Sequence, residues 1–119
     1  MKKEDALRDV AIREIGCLAT WLRFNEFAPC EKHHLLTTGR HGTGKRRGEQ
    51  ATIGLTQYYH RGYNYSGLQE KFTRAEALEY FGPSYADSPK LFRQTFGDDE
   101  FLLAEQDRLI AVWRGSFVV

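Results

Sequence analysis

Residues 28–62 place the strongest constraint on the fold of this chain, because two apolar runs there flank a long loop rich in glycine and in basic residues. The first run, APCEKHHLL, is bounded by Pro29 and by the TTG at 37–39, a length that suits one strand. The second run, ATIGLT, is of similar length and rich in β-branched residues. We therefore predict a hairpin with a loop of about 15 residues, and a structureless loop that long is usually functional or mobile.

The loop between the two runs is basic. Arg40, Lys45, Arg46 and Arg47 fall within eight positions, and four glycines between 39 and 48 would let the backbone come close to a ligand. Phosphate is the ligand that such a loop favours, and nucleic acid is then the natural source of it. Most charge runs are solvated turns, so the alternative is a loop that binds nothing.

Three histidines bracket this loop. His33 and His34 are adjacent on the first run, and adjacent residues of a strand point to opposite faces. One can therefore hold a metal ion while its neighbour, reaching the site from a bent strand end, handles a proton. His60 follows the second run, where a helix could begin and fold back over the hairpin to bring His33 and His60 together. The alternative is a hairpin whose histidines only satisfy loop carbonyls.

The motifs CEKHHLL and YYHRG resemble the first and last motifs of the His-Me finger, or HNH, endonucleases. The core of those enzymes is a β-hairpin plus a helix that grip one divalent cation. Longer stretches of the chain, over about residues 16–112, are similar to the phage recombination-enhancement nucleases called Ref. These stretches are HHLLTTGRHG, RRGEQATIGL, HRG, FGPSYADSPKLFRQTFG and LLAEQDRLI.

The resemblance implies an α+β fold, with a ββα-metal hairpin-plus-helix core surrounded by N- and C-terminal helices in one nuclease domain over residues 1–119. It implies that His33 and His60 hold the cation and that His34 is the general base for phosphodiester hydrolysis. Mg²⁺ or Mn²⁺ is the expected cation, and Zn²⁺ or Ni²⁺ could occupy the site in a crystal. The residues expected to contact DNA are Arg40, Lys45, Arg46, Arg47 and Arg61. For Arg61, helix capping is an equal alternative.

The same resemblance implies a role in recombination or DNA processing, a phage or prophage origin, and cutting that can depend on a recombinase filament of the RecA type. Such HNH proteins often carry a structural zinc knuckle. Here the knuckle positions read Cys17, Thr20, Thr56 and Tyr59, and because only one of them is a thiol we expect no structural zinc. The Asn that names the motif is absent as well. A catalytically weakened nucleic-acid-binding module is therefore the alternative function, and a purely structural helical phage protein is a third.

The composition limits the class of protein to which the chain can belong. The chain has 119 residues, of which 41% are hydrophobic and 28% charged, as in a globular domain rather than a disordered or membrane-spanning chain. The net charge is only +1, so the positive charge is a local feature of the loop. Two cysteines form no disulfide framework, and we expect reduced thiols. No signal-peptide pattern follows Met1, which favours the cytoplasm and excludes a membrane partner.

The flanking segments predict helices. Residues 3–15 and 18–24 are amphipathic stretches separated by Gly16, with Asn25 and Pro29 ending the second. Downstream, capping residues predict three more helices: Thr73 with Glu76 and Gly82, then Ser88 with Pro89 and Gly97, then Asp98 or Asp99. The side chains predicted to be buried on these flanking helices include Ala6, Leu7, Val10, Ala11, Ile15, Leu18, Trp21, Leu22, Phe24, Phe101, Leu102, Leu103, Leu109, Ile110 and Trp113.

Overall fold

The helices of this protein are assembled around an antiparallel ribbon of two short strands. The structure, a computed structural model, describes residues 2–37, 45–46 and 48–116, and it leaves the side chains of residues 36–37 and 45–46 undescribed. The strands are β1 (Glu31–His34), β2 (Leu36–Thr37), β3 (Lys45–Arg46) and β4 (Thr52–Leu55). The helices are α1 (Lys3–Ile15), α2 (Leu18–Phe24), α3 (Gln57–Arg61), α4 (Arg74–Phe81), α5 (Pro89–Phe96) and α6 (Asp99–Gly115), and 3₁₀ turns occupy Tyr63–Tyr65 and Leu68–Glu70.

The ribbon consists of β1 and β4, which come from the two apolar runs. His33 lies opposite Ile53 and His34 lies opposite Thr52, and β2 pairs with β3 in a second small sheet. The predicted pair of strands is therefore confirmed, and so is the α+β class, with helix as its larger part.

The capping signals place the helix ends correctly. Thr73 and Glu76 form a capping box at the start of α4, and Gly82 ends that helix at φ +82°. Asp98 accepts a hydrogen bond from the backbone N–H of Phe101 at 2.8 Å, which fixes the start of α6. Pro89 begins α5 as predicted, although the Ser88 side chain makes no capping hydrogen bond among the described residues. Local capping chemistry is thus enough to mark these boundaries.

The prediction of which helix faces are buried is partly wrong. Val10, expected in the core, is 47% exposed, and Trp21 and Phe101 are also exposed. Helix α1 buries Arg8 together with Ala11 and Ile12. The apolar pattern misses this face because Arg8 is only 6% exposed, and its guanidinium finds hydrogen-bond partners in other elements.

Each face of the ribbon meets different helices. The α1 face carries Lys32, His34, Thr52 and Gly54, and the α3 face carries Glu31, His33, Ile53 and Leu55.

On the α1 face, Arg8 donates from Nε to Thr52 Oγ1 at 3.0 Å and from Nη2 to the Thr52 carbonyl at 2.6 Å. At the β4 edge, Gln106 of α6 accepts a hydrogen bond from the Gly54 N–H at 2.9 Å. A Cβ on Gly54 would lie 2.7 Å from Cys30 Sγ, so only glycine allows this approach. Within the described residues, no helix is long and apolar enough to cross a membrane.

Candidate active site

The start of α3 brings two of the three histidines together. Thr56 directly follows β4, and its hydroxyl accepts a hydrogen bond from the Tyr59 N–H at 3.3 Å, which starts the helix at once. The helix then folds back over the α3 face, and the ring centroids of His33 and His60 lie 4.9 Å apart with planes at 83°. The structure therefore shows the juxtaposition of His33 and His60 that their spacing predicts.

His33 is a buried polar side chain without a hydrogen-bond partner. It is 8% exposed, and neither ring nitrogen has a partner among the described residues. Its ring lies between His60 and Tyr85, whose centroid is 4.6 Å away. Burial, followed by the proximity of His60 and His34, lowers the pKa of His33 to about 4. The imidazole is thus neutral at physiological pH and keeps a lone pair for a ligand.

His60 is oriented by a carboxylate. Its Nδ1 lies 2.7 Å from Oε1 of Glu31, and Arg61 donates from Nε to the same oxygen at 2.6 Å and from Nη2 to Oε2 at 3.1 Å. Burial acts to raise the pKa of Glu31, but the hydrogen bonds from Arg61 and His60 outweigh it and hold that pKa below its ordinary value. Since the carboxylate is ionised, Nδ1 of His60 is the donor, which leaves Nε2 as the ring nitrogen that could ligate a metal.

This arrangement fits a metal ligand. A histidine that ligates a metal commonly donates its second ring N–H to a carboxylate, which fixes the tautomer and the ring orientation. Sequence analysis missed Glu31, although the period-two alternation of β1 places Glu31 on the same face as His33. Arg61 pairs with Glu31, and its contact with phosphate stays a prediction.

The donor set fits an open metal site. His33 offers a neutral imidazole and His60 offers Nε2, and the described part of the chain has no group of three or more His, Cys, Asp or Glu side chains that could hold a metal ion. A cation held by these two residues would keep several positions for water and for substrate oxygen. Open positions of that kind are what hydrolytic metal chemistry requires, whereas a purely structural site is closed.

His34 is not brought together with His33 and His60. It lies on the α1 face, where its Nε2 is 3.1 Å from Oε1 of Glu49. Lys32 contacts the other oxygen of Glu49 at 2.8 Å and lies 3.3 Å from Asp9. The hydrogen bond from Lys32, and then that from His34, lower the pKa of Glu49 to about 2. With Nε2 donating to this carboxylate, Nδ1 of His34 is the ring nitrogen that can accept a proton.

The basic loop is only partly described. Arg40 and Arg47 lie outside the described residues. Lys45 and Arg46 form β3, which pairs with β2, and their side chains lie outside the description. The contact of these four residues with DNA therefore stays a prediction.

Of the four positions that carry the zinc knuckle in such HNH proteins, Cys17 and Thr56 are helix N-caps here, and Thr20 and Tyr59 supply the backbone N–H groups that they bind. Cys17 Sγ accepts a hydrogen bond from the Thr20 N–H at 3.4 Å at the start of α2, as Thr56 does from Tyr59 at the start of α3. The Tyr59 hydroxyl donates to the Phe81 carbonyl at 2.7 Å. Cys17 and Cys30 are free thiols, as expected. The expectation that the protein holds no structural zinc stays a prediction.

Comparison with known proteins adds one finding. The model of a family described as "Recombination enhancement, RecA-dependent nuclease" matches residues 3–111. No curated protein gives a significant match to the chain, and no solved structure does. The matched range includes β1, β4 and α3, and with them all three bracketing histidines.

Proposed function

Because the chain belongs to the family of recombination-enhancement, RecA-dependent nucleases, we propose that it is an HNH-type endonuclease that hydrolyses DNA phosphodiester bonds with one divalent cation held by His33 and His60. The observation that carries the proposal is the buried, neutral ring of His33. Both of its nitrogens lack partners among the described residues, and it faces a second imidazole whose tautomer is set by Glu31. A buried polar group left unpaired costs free energy, so its retention needs a functional reason.

The residues divide the chemistry between them. When bound, the cation polarises the scissile phosphate and stabilises the leaving oxygen. His34 takes a proton from the attacking water at Nδ1, while Glu49 holds Nε2 and stabilises the positive charge that the ring acquires. The water oxygen bonds to phosphorus, and the bond from phosphorus to the 3′ oxygen breaks. His34 is the last residue of β1. The proposal therefore requires a substrate that lies across this strand end, between His34 on the α1 face and His33 with His60 on the α3 face.

The loop supplies affinity in this proposal. Arg40, Lys45, Arg46 and Arg47 bind phosphates on either side of the cut, which positions the DNA without reading its sequence. Neutralising Arg46 and Arg47 together should weaken binding about equally for all sequences and reduce the salt slope by roughly 2.

A nicking assay tests the proposal. Supercoiled and single-stranded DNA are incubated with Mg²⁺, Mn²⁺ or EDTA, with and without a RecA-type filament, and cleavage should require the cation. His34→Ala should lower the cleavage rate by about 10² to 10⁴ while Mn²⁺ binding is kept, because a general base contributes little to ground-state binding. His33→Ala and His60→Ala should each weaken Mn²⁺ binding in calorimetry. Their effects on rate should be non-additive, because either loss removes the same cation.

The rival function is nucleic-acid binding without catalysis. It is favoured by the absence of the motif Asn and by the single thiol, Cys17, among the four positions of the zinc knuckle. DNA binding that persists in wild-type protein without any metal-dependent nicking would establish this rival and refute the nuclease proposal.

A further inference from the structure

A cavity of about 560 Å³ opens beside the candidate active site. Glu31 forms part of its wall and also holds His60, so the cavity begins at the carboxylate that orients a proposed metal ligand. Gln57, Tyr58 and Tyr59 of α3 line it as well, on the helix that carries His60. We call this cavity the aromatic pocket, after six of its lining residues: Phe24, Phe27, Tyr58, Tyr59, Tyr80 and Phe81.

The inner wall of the aromatic pocket offers ring surfaces. The Tyr58 hydroxyl donates to the Gly82 carbonyl at 2.6 Å, and the Tyr59 hydroxyl donates to the Phe81 carbonyl at 2.7 Å. Both hydroxyls are therefore occupied. A ligand that enters the pocket meets aromatic rings, which bind flat, polarisable groups well.

One aromatic side chain that lines the pocket, Phe27, is largely exposed to solvent. Phe27 is 64% exposed, and it has no aromatic neighbour within the described part of the chain. The ring rests on Gly16, where a Cβ would come within 2.7 Å of two ring carbons. A large apolar ring held in place from one side and open on the other is a platform for stacking.

Two exposed polar side chains of the pocket could form hydrogen bonds with the edge of a nucleobase. Glu26 and Gln57 line the pocket, are exposed, and have no hydrogen-bond partner among the described residues. A carboxylate and an amide can accept hydrogen bonds from the amino groups of bases, as they do in base recognition. A phosphate is poorly suited to this place, because Glu26 and Glu31 both repel it.

We propose that the aromatic pocket binds a nucleobase of a single-stranded or unpaired segment next to the cleaved phosphate, with Phe27 as its stacking platform. This inference rests on the proposed function and specifies its substrate. A base inside a duplex is covered by its neighbours, so the pocket favours DNA in which a base has left the stack.

Equilibrium binding in EDTA, where no cleavage occurs, tests the proposal. The probes are a single-stranded oligodeoxynucleotide with one 2-aminopurine and its duplex with the complementary strand. Binding of wild-type protein should change the 2-aminopurine fluorescence of the single strand. Phe27→Ala should lose this change and bind the single strand about 10-fold more weakly, while its affinity for duplex stays the same.

Two further variants serve as controls. Phe27→Leu keeps an apolar side chain on Gly16 but lacks the ring, so it should show the same loss with the local fold intact. Phe101→Ala removes an exposed ring on α6, outside the pocket, and should bind as the wild type does.

The outcomes separate the two proposals. If the wild type nicks DNA and the Phe27 variants bind the single strand normally, the nucleobase pocket is refuted and the nuclease function stands. If the wild type binds neither probe and nicks no DNA, both proposals fall. A change in oligomeric state of the Phe27 variants, without a change in DNA affinity, would show that protein covers the pocket and would also refute it.

Discussion

The two faces of the ribbon each bury a polar side chain, but only one of these side chains has hydrogen-bond partners among the described residues. On the α1 face, Arg8 makes two hydrogen bonds with Thr52 and a third, at 2.6 Å, with Asp107. On the α3 face, His33 is buried to nearly the same degree, yet both of its ring nitrogens lack a partner among the described residues. The hydrogen bonds of Arg8 offset the cost of burying its charge, whereas a buried imidazole without any partner costs stability. The first face therefore satisfies its buried polar side chain, whereas the second leaves the ring nitrogens of His33 free of partners among the described residues, as the proposed metal site requires.

Removing Arg8 should have the largest effect on stability. Arg8→Met keeps most of the side-chain volume but loses three hydrogen bonds from a buried cation, so the free energy of unfolding should fall by about 4 kcal/mol. Urea titration followed by circular dichroism measures this change. The matched control is Arg108→Met on α6, which removes only an exposed ion pair with Glu105 and should change the free energy of unfolding far less. Equal losses in the two variants would contradict the contrast between the faces.

The pH dependence of stability should report on His33. Its pKa in the folded protein, about 4, lies below the ordinary 6.5, so the unfolded chain binds the proton more readily. Above pH 6.5 the ring is neutral in both the folded and the unfolded state. As the pH falls from 6.5 towards 4, protonation favours the unfolded state, and the free energy of unfolding should decrease by about 3 kcal/mol in total. Urea titrations in EDTA at four pH values between 7 and 4 measure it. His33→Phe should lack this component, and an identical pH profile in that variant would refute the assignment.

Replacing His33 should itself stabilise the metal-free protein. His33→Phe removes two unpaired polar atoms and keeps a ring against Tyr85, so at pH 7 in EDTA it should unfold with about 2 kcal/mol more free energy than the wild type. His34→Phe is the control, because it breaks a hydrogen bond with Glu49 and should give no gain. If both variants lose stability equally, His33 is not an unsatisfied group.

The smallest effect is expected from replacing Glu31, the carboxylate that holds Nδ1 of His60. Glu31→Gln should leave the fold intact but weaken Mn²⁺ binding by about 10-fold, because His60 loses the ionised partner that sets its tautomer. Isothermal titration with Mn²⁺ measures the affinity. Glu49→Gln, on the opposite face, should leave Mn²⁺ affinity unchanged, and a comparable loss there would mean that the two faces share one site.

A structural feature of this protein was predictable from the sequence when the residues that determine it lie close together in the chain. The ends of α1, α4 and α6 follow from Gly16, the Thr73 capping box and Asp98, because the partners of a cap lie within a few residues. The approach of His33 and His60 follows from the same kind of signal, since the Thr56 cap starts α3 immediately after β4.

The partners of buried polar groups were not predictable in this way. Arg8 finds Thr52 and Asp107, which are 44 and 99 positions away, and no local pattern encodes such a pairing. The roles of Glu31 and Glu49 were missed for the same reason. Each becomes recognisable only when the ribbon and α3 place a histidine within hydrogen-bond distance of it.

The contacts between α1 and α6 have a consequence for biosynthesis. Arg8 pairs with Asp107, Glu4 with Arg114, and the Trp113 indole N–H donates to Glu14, so the first helix is held by the last. On a translating ribosome, α1 emerges first and must wait for the synthesis of about 99 further residues, on the order of 5 to 20 s. Until then the α1 face of the ribbon lacks its support. In an incomplete nascent chain, His34 and Glu49 on the α1 face are therefore expected to lack their final positions, so a partly synthesised chain of this nuclease family would lack part of the candidate site.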